Sequence, residues 1–304
     1  MSPDIVIGPR AARFATEAVR AGGGNVVEPG GGADGLVWLD PRDVDGLRLA
    51  LSAADYRWVQ LPYAGVETVL AAGIFDTARV WTSAKGAYAE PVAEHALALA
   101  LAGLRHLPER ITARSWGRQA GTSLFDAEVV ILGGGGITAT LLRLLEPFRA
   151  HTTVVRRTGT PMPGATRTVT TGELLDVLPR ALVVFLALAL TPETTGIIGA
   201  KELEVMDERA WLVNVARGGH IDTDALVDAL AGGSIAGAAL DVTDPEPLPD
   251  GHALWDEPAC IITPHSADTD EMVRPLLARR IRANVAHLAA GEQLEGLVDV
   301  GAGY

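Results

Sequence analysis

Three polar residues in the C-terminal half of this chain, Arg217, Glu246 and His265, have the types and placement to do chemistry, because each follows closely on a short apolar run. An arginine offers a planar fork of donors to a carboxylate and polarises an adjacent carbonyl. A histidine gives or takes a proton near neutral pH, and a carboxylate hydrogen-bonded to it favours the charged ring and fixes its orientation. Singly, these residues read equally well as a surface ion pair, a loop cap and a packed histidine. Together they suit reduction of a 2-oxo acid, in which a hydride reaches the carbonyl carbon and the histidine protonates the developing alkoxide.

Such a set needs strands whose ends converge. The run 211–215 leads into Ala216-Arg217-Gly218-Gly219, and Asp222 could cap a helix over 223–231. The run 235–242 precedes the proline-rich loop Asp244-Pro245-Glu246-Pro247, and 260–263 leads into Pro264-His265-Ser266. In an open parallel sheet the carboxyl ends share one edge, where ligands bind. That sheet opens at Val129, where V-V-I-L-G-G-G-G-I-T (129–138) reads as a buried strand, a glycine turn and the start of a helix. Gly133 and Gly135 occupy the first two places of G-x-G-x-x-G, with Thr138 at the third. Backbone N–H groups of such a turn can approach a pyrophosphate, so Gly133, Gly135, Gly136 and Ile137 are candidate cofactor contacts. A second strand, 151–155, ends in Arg156-Arg157-Thr158, with no Asp or Glu between residues 151 and 164. An acidic residue there would bond a ribose 2′-OH, whereas arginine accommodates a 2′-phosphate, so NADP is expected in preference to NAD.

The N-terminal part alternates β-type runs (4–8, 25–28, 35–39, 57–61) with helical intervals, which implies another parallel α/β sheet. Pro62-Tyr63-Ala64-Gly65-Val66-Glu67 forms the turn after its fourth strand, a place for backbone amides that hold an anion. A helix is expected over 89–107, with Pro91 in its first turn and Arg105 and His106 late, as a connection between domains; His95 within it reads as a packed histidine. The run 181–188 is a further buried strand, 269–290 a final helix, and the last thirteen residues turns and a short strand.

Composition narrows the function classes. Lys and Arg number 25 against 38 Asp and Glu, for a net charge of −13, and they form no block, so no nucleic-acid partner is expected. The single Cys260 excludes an internal disulfide and a cysteine-rich zinc site, no metal is expected, and a reducing, cytoplasmic location fits. The start M-S-P-D-I-V-I-G has no basic leader pattern and the apolar run 181–190 is too short to span a bilayer, so no membrane association is expected.

The motifs taken together resemble the D-isomer-specific 2-hydroxyacid dehydrogenase family, which includes phosphoglycerate dehydrogenase and the glyoxylate/hydroxypyruvate reductases. They run in order along nearly the whole chain: W-V-Q-L-P-Y-A-G-V-E (58–67), A-E-P-V-A-E-H-A-L (89–97), V-I-L-G-G-G-G-I (130–137), L-T-P-E-T-T-G-I-I-G (190–199), N-V-A-R-G-G-H-I-D-T-D-A-L (214–226), A-L-D-V-T-D-P-E-P-L-P (239–249) and T-P-H-S-A (263–267). The resemblance implies that Arg217 binds the substrate carboxylate and carbonyl, that His265 is the acid/base paired with Glu246, and that Ala64, Gly65 and Val66 present backbone groups to the carboxylate. It places Ala216 beside the cofactor and Asp241 at the nicotinamide carboxamide. The fold it implies is two Rossmann-like or flavodoxin-like parallel-sheet α/β domains with the active cleft between them: a substrate-binding domain of residues 1–95 plus 271–304, and an inserted dinucleotide-binding domain of 96–270. A homodimer is implied, with a small 2-oxo or 2-hydroxy acid as substrate. Departures from the family pattern are Thr138 at the third glycine, Gly136 where a polar residue is common, and Asp126 where a glycine is common. Glu246 in place of glutamine argues against formate as substrate. The altered glycine turn leaves an alternative, an NAD(P)(H)-sensing, corepressor-like binding protein with little turnover. The substrate side-chain pocket is expected around Trp38, Tyr63, Trp81 and Tyr88.

Overall fold

The computed structural model describes residues 1–301; residues 302–304, the end of the segment expected to contain turns and a short strand, lie outside the described residues. The chain divides into two compact units, Met1–Tyr88 with Thr269–Tyr304, and Ala89–Asp268. Each contains a parallel sheet, and neither sheet closes into a barrel.

In the first unit the strands are β1 (Asp4–Gly8), β2 (Asn25–Val26), β3 (Gly35–Trp38), β4 (Trp58–Gln60) and β5 (Val80–Thr82), in the spatial order β2-β1-β3-β4-β5. The expected strand over 25–28 is confined to two paired residues. β5 has no counterpart in the sequence reading, because three residues that begin with an exposed Val80 are too few to show a period. The core lies between Val6, Leu36, Trp38, Val59, Leu61 and Trp81. Buried polar bonds fix the final helix, Asp270–Ala290, to this unit. Asn284 Nδ2 donates to Gln60 Oε1 (2.9 Å), and Arg280 Nη1 donates to Ser83 O (2.8 Å). Among the described residues of the C-terminal segment, Leu297 makes an isolated antiparallel bridge with Thr82.

The second unit begins with the connecting helix Ala89–Leu104. The single helix expected over 89–107 breaks at His106, which takes a left-handed conformation (φ 51°), and a second helix, Leu107–Thr112, restarts the chain. Pro108 has no N–H for a continuous helix, and its ring would clash with the carbonyl of Leu104. The strands are β6 (Glu128–Leu132), β7 (His151–Val155), β8 (Arg167–Val169), β9 (Val183–Leu186), β10 (Trp211–Asn214), β11 (Gly237–Leu240) and β12 (Cys260–Ile262), in the order β12-β11-β10-β9-β6-β7-β8. β8, an edge strand reading Arg-Thr-Val, is likewise absent from the sequence reading. The chain runs outward from β6 through β7 to β8, then returns to β9 on the other side of β6. This reversal makes β6 and β9 the topological switch point, beyond which open α/β sheets bind their ligands. Strands β9, β10 and β11 are buried throughout, which explains sequences that are apolar except for Asn214 at the end of β10. Asp126, where the family pattern has glycine, adopts φ 59°, a conformation aspartate tolerates better than most side chains, and its carboxylate pairs with both Arg149 Nε and Nη2 (2.8 and 2.7 Å).

Candidate active site

At the switch point β6 ends at Leu132, and the helix Gly136–Leu145 starts four residues later with Gly135 at its N-cap. Gly133 has φ 110° and donates its N–H to Val155 O (2.8 Å); a Cβ there would stand 2.2 Å from Ala187 O beyond β9, so the position requires glycine. Around Gly135 a Cβ would meet nothing within 4 Å, and the first helical N–H groups, from Gly136 and Ile137 onward, lack acceptors within the helix. Thr138 is fully buried and its hydroxyl donates to Gly133 O at 3.0 Å. It therefore ties helix to turn instead of wedging them apart. Arg156, just past β7, lies along the turn, its Nε 2.9 Å from where a Cβ on Gly134 would be. Arg157 is exposed. The Thr191 hydroxyl and Glu193's own N–H hold the Glu193 carboxyl below its usual range, and the charge of Arg157 adds to the effect.

Arg217 is set by the turn after β10. Buried Asn214 accepts from Ala216 N–H (3.0 Å) and donates to Arg217 O (2.8 Å), while Arg217 Nη1 donates to Ala216 O (2.7 Å). A Cβ on Gly218 would lie 1.9 Å from Thr243 O, so the chain passes directly beneath the loop that carries Glu246.

Glu246 Oε1 and His265 Nδ1 meet at 2.7 Å, although 19 residues separate them. His265 adopts φ 49°. A non-glycine residue there costs roughly 1–2 kcal/mol and persists only where its surroundings impose it. Here the backbone N–H of His265 donates to Asp241 O (2.8 Å) and Thr263 O (3.0 Å). The Asp241 carboxylate beneath is 2% exposed; Oδ1 accepts from the Thr263 hydroxyl (2.5 Å) and Ser266 N–H (2.9 Å), and Oδ2 from Ala267 N–H (3.1 Å). His95 Nε2 lies 3.3 Å from Oδ1 and 3.0 Å from Thr263 Oγ1. Burial opposes the charge of Asp241, but His95, Thr263 and the two backbone N–H groups outweigh it and hold the carboxyl at about 2. Asp268 is raised above its ordinary range, first by burial and then by Asp241, while His265 and Arg217 oppose the rise.

In the first unit, the carbonyls in the turn after β4 are engaged by protein donors: Pro62 O by the Tyr88 hydroxyl, Tyr63 O by Ala84 N–H (2.8 Å) and Ala64 O by the Ser83 hydroxyl (3.3 Å). The N–H groups of Ala64, Gly65 and Val66 have no acceptor among the described residues. Trp38 and Trp81, expected to line a pocket, are core residues at 3% and 2% exposure, because each occupies a strand position that faces the packed side of the sheet. Tyr88 is buried as well, and Tyr63, pushed up to about 12 by burial and then by Glu67, keeps its proton.

A model of the NAD binding domain of D-isomer specific 2-hydroxyacid dehydrogenases matches residues 96–267. The chain belongs to that family. An uncharacterized Corynebacterium melassecola protein, named for its position in the proB 3′ region, is 41% identical over 279 residues, covering 87% of this chain and 91% of that one. Among solved structures, a D-isomer specific 2-hydroxyacid dehydrogenase from Xanthobacter autotrophicus Py2, in complex with NADPH and MES, is 26% identical with a TM-score of 0.85, covering 100% of both chains. The NADPH-dependent glyoxylate/hydroxypyruvate reductase of Sinorhizobium meliloti, in complex with NADP and sulfate, is 25% identical with a TM-score of 0.82, again over 100% of both chains. The resemblance read from the motifs is thus confirmed, and the protein is an NAD(P)-dependent oxidoreductase of the 2-hydroxyacid dehydrogenase class. The sensing alternative is not favoured. Among the described residues, no helix is long and apolar enough to cross a membrane, and no cluster of His, Cys, Asp or Glu could hold a metal ion.

The structure brings Glu246 and His265 together and places Arg217 on a separate turn of the same unit. Sequence reasoning missed three residues here: Asn214, which fixes the Arg217 turn, Thr263, which bridges Asp241 and His95, and Asp268. Asn214 and Thr263 left one signal, a polar residue closing an otherwise apolar strand.

Proposed function

We propose that this dehydrogenase reduces a small 2-oxo acid, such as glyoxylate or hydroxypyruvate, to its D-2-hydroxy acid, with NADPH preferred to NADH. The observation that carries the reading is the Glu246–His265 pair. With Nδ1 held at 2.7 Å by a carboxylate, the His265 ring keeps a fixed tautomer and orientation, and its Nε2, which has no partner among the described residues, can give a proton. Arg217 grips the carboxylate of the substrate and polarises its carbonyl, and in the other unit the unengaged N–H groups of Ala64, Gly65 and Val66 are donors suited to a carboxylate. His265 then protonates the carbonyl oxygen as negative charge grows on it.

The residues at the switch point fit a dinucleotide. Gly133 permits the tight turn, the space over Gly135 is open, and Gly136 and Ile137 supply helix N-terminal N–H groups for a pyrophosphate. When bound, the cofactor supplies the hydride. Arg156 and Arg157 would hold a 2′-phosphate, Ala216 lines the nicotinamide end, and Asp241 would meet the nicotinamide carboxamide as well as hold the turn that carries His265. In this reading the unit of Ala89–Asp268 is the inserted dinucleotide-binding domain and the other unit binds substrate.

We assign the protein as a cytoplasmic homodimer. Support for self-association is a segment after the connecting helix that carries Arg105, Arg110, Arg114 and Arg118 in a chain of net charge −13 and leaves Trp116 95% exposed. The test is a spectrophotometric panel of glyoxylate, hydroxypyruvate, pyruvate and phenylpyruvate with NADH and with NADPH. Oxidation of NADPH with one of the smaller acids is expected; no oxidation with any substrate, despite measurable NADPH binding, would overturn the proposal.

A further inference from the structure

The connecting helix begins Ala-Glu-Pro-Val-Ala-Glu-His-Ala-Leu-Ala-Leu-Ala, and within that stretch His95 carries a side chain that reaches Thr263 and Asp241, beside the turn of His265. The hydrogen-bond pattern fixes what it does there. Thr263 has a single hydroxyl proton, donated to Asp241 Oδ1 at 2.5 Å, so the 3.0 Å approach of His95 Nε2 to the same hydroxyl is a donation from Nε2–H to Thr263 Oγ1. The same N–H faces Asp241 Oδ1 at 3.3 Å. His95 therefore closes a ring of three side chains in which every proton has a direction.

That ring lies directly under the proton-transfer turn. Asp241 receives the N–H groups of Ser266 and Ala267 on its carboxylate and that of His265 on its backbone carbonyl. His265 sits at φ 49°, a conformation its own sequence does not favour, and the alignment of its ring with Glu246 depends on that backbone. We propose that His95 is a positioning residue: its Nε2–H locks Thr263 and Asp241, and these hold the His265 turn in the conformation that pairs the imidazole with Glu246. The inference rests on the reading of His265 as the acid/base. Among the described residues Glu246 contacts that imidazole, and Asp268 interacts electrostatically with His265, Asp241 and Arg217.

The test uses His95→Leu, His95→Gln and Thr263→Val with two independent readouts. The first is amide exchange at Ser266 and Ala267 in the protein without cofactor. His95→Leu should speed it by about tenfold, and His95→Gln, which offers an N–H at similar reach, should leave it within about threefold of the parent. The second is the pH–rate profile. His95→Leu should lower kcat about tenfold with KM changed less than about twofold, and should move the limb that needs a protonated His265 to lower pH by about half a unit. A role in packing alone would lower thermal stability without moving that limb. Should His95→Leu fail to fold, Thr263→Val must reproduce the faster exchange and the loss of kcat. The proposal is overturned if exchange and pH profile stay at parent values in His95→Leu or Thr263→Val, or if His95→Gln is no better than His95→Leu. His265→Ala separates the two levels: unimpaired turnover there overturns the acid/base reading itself, whereas a large loss there beside a silent His95→Leu overturns only the positioning role.

Discussion

Replacing Asp241 by asparagine tests whether a buried carboxylate organises the site. A carboxyl held from 3.8 down to about 2 releases its proton more readily in the folded chain. At roughly 1.4 kcal/mol per pH unit, that preference stabilises the fold by about 2 kcal/mol. The sign follows from the depressed value: the contribution is fully present above the unfolded value near 3.8 and is lost as pH falls from there through about 2. An asparagine also puts an NH₂ group against one of the N–H donors of Ser266, Ala267, His95 or the Thr263 hydroxyl, so a donor meets a donor. Asp241→Asn should therefore cost about 2–3 kcal/mol at pH 7, and for a domain of this size lower the melting temperature by roughly 4–10 °C. The assay is urea unfolding followed by tryptophan fluorescence, for parent and variant, from pH 8 to pH 3. The gap should be constant above about pH 5 and narrow below about pH 4. A gap under about 0.5 kcal/mol, or one that does not change between pH 7 and pH 3, would refute the reasoning.

Three further outcomes are expected. Arg156→Asp should invert the cofactor preference, with NADPH losing at least about tenfold in kcat/KM relative to NADH, because a carboxylate bonds the ribose 2′-OH and repels a 2′-phosphate; survival of NADPH preference would remove Arg156 from that role. Thr138→Val, which keeps the volume but deletes the hydroxyl bonded to Gly133 O, should weaken NADPH binding about threefold to tenfold by fluorescence titration, and an unchanged Kd would show that the hydroxyl does not shape the turn. Arg217→Lys should lower kcat/KM by about 10²-fold, since an ammonium cannot reproduce a bidentate fork; near-parent kinetics would contradict that assignment.

Much of the fold was legible because the longer strands of the second unit are largely apolar, residues 129–132 in β6, all of β9 and residues 211–213 in β10, and a buried run of that length stands out from the helices around it. The break at His106 was hidden by good helix formers on both sides, with Pro108 its only mark. β5 and β8 were hidden by their shortness, since edge strands of three residues take their register from neighbours and not from a period. The Glu246–His265 pair could be anticipated from strand-end convergence. The ring of His95, Thr263 and Asp241 could not, because it joins a helix to two strand ends 146 and 168 residues further along, a proximity that only packing creates. The Thr138 departure shows the same limit. Whether a threonine wedges or ties depends on one acceptor, Gly133 O, whose direction no spacing reveals.

Direct evidence on the central claim would come from the turnover of His265→Ala with glyoxylate and hydroxypyruvate, measured at saturating NADPH beside a binding titration that confirms cofactor occupancy. Proton transfer by a positioned side chain contributes about 10²–10⁴-fold, so kcat is expected to fall by that factor while NADPH affinity stays within about twofold of the parent. Turnover within about tenfold of the parent would contradict the assignment of His265, paired with Glu246, as the group that protonates the substrate.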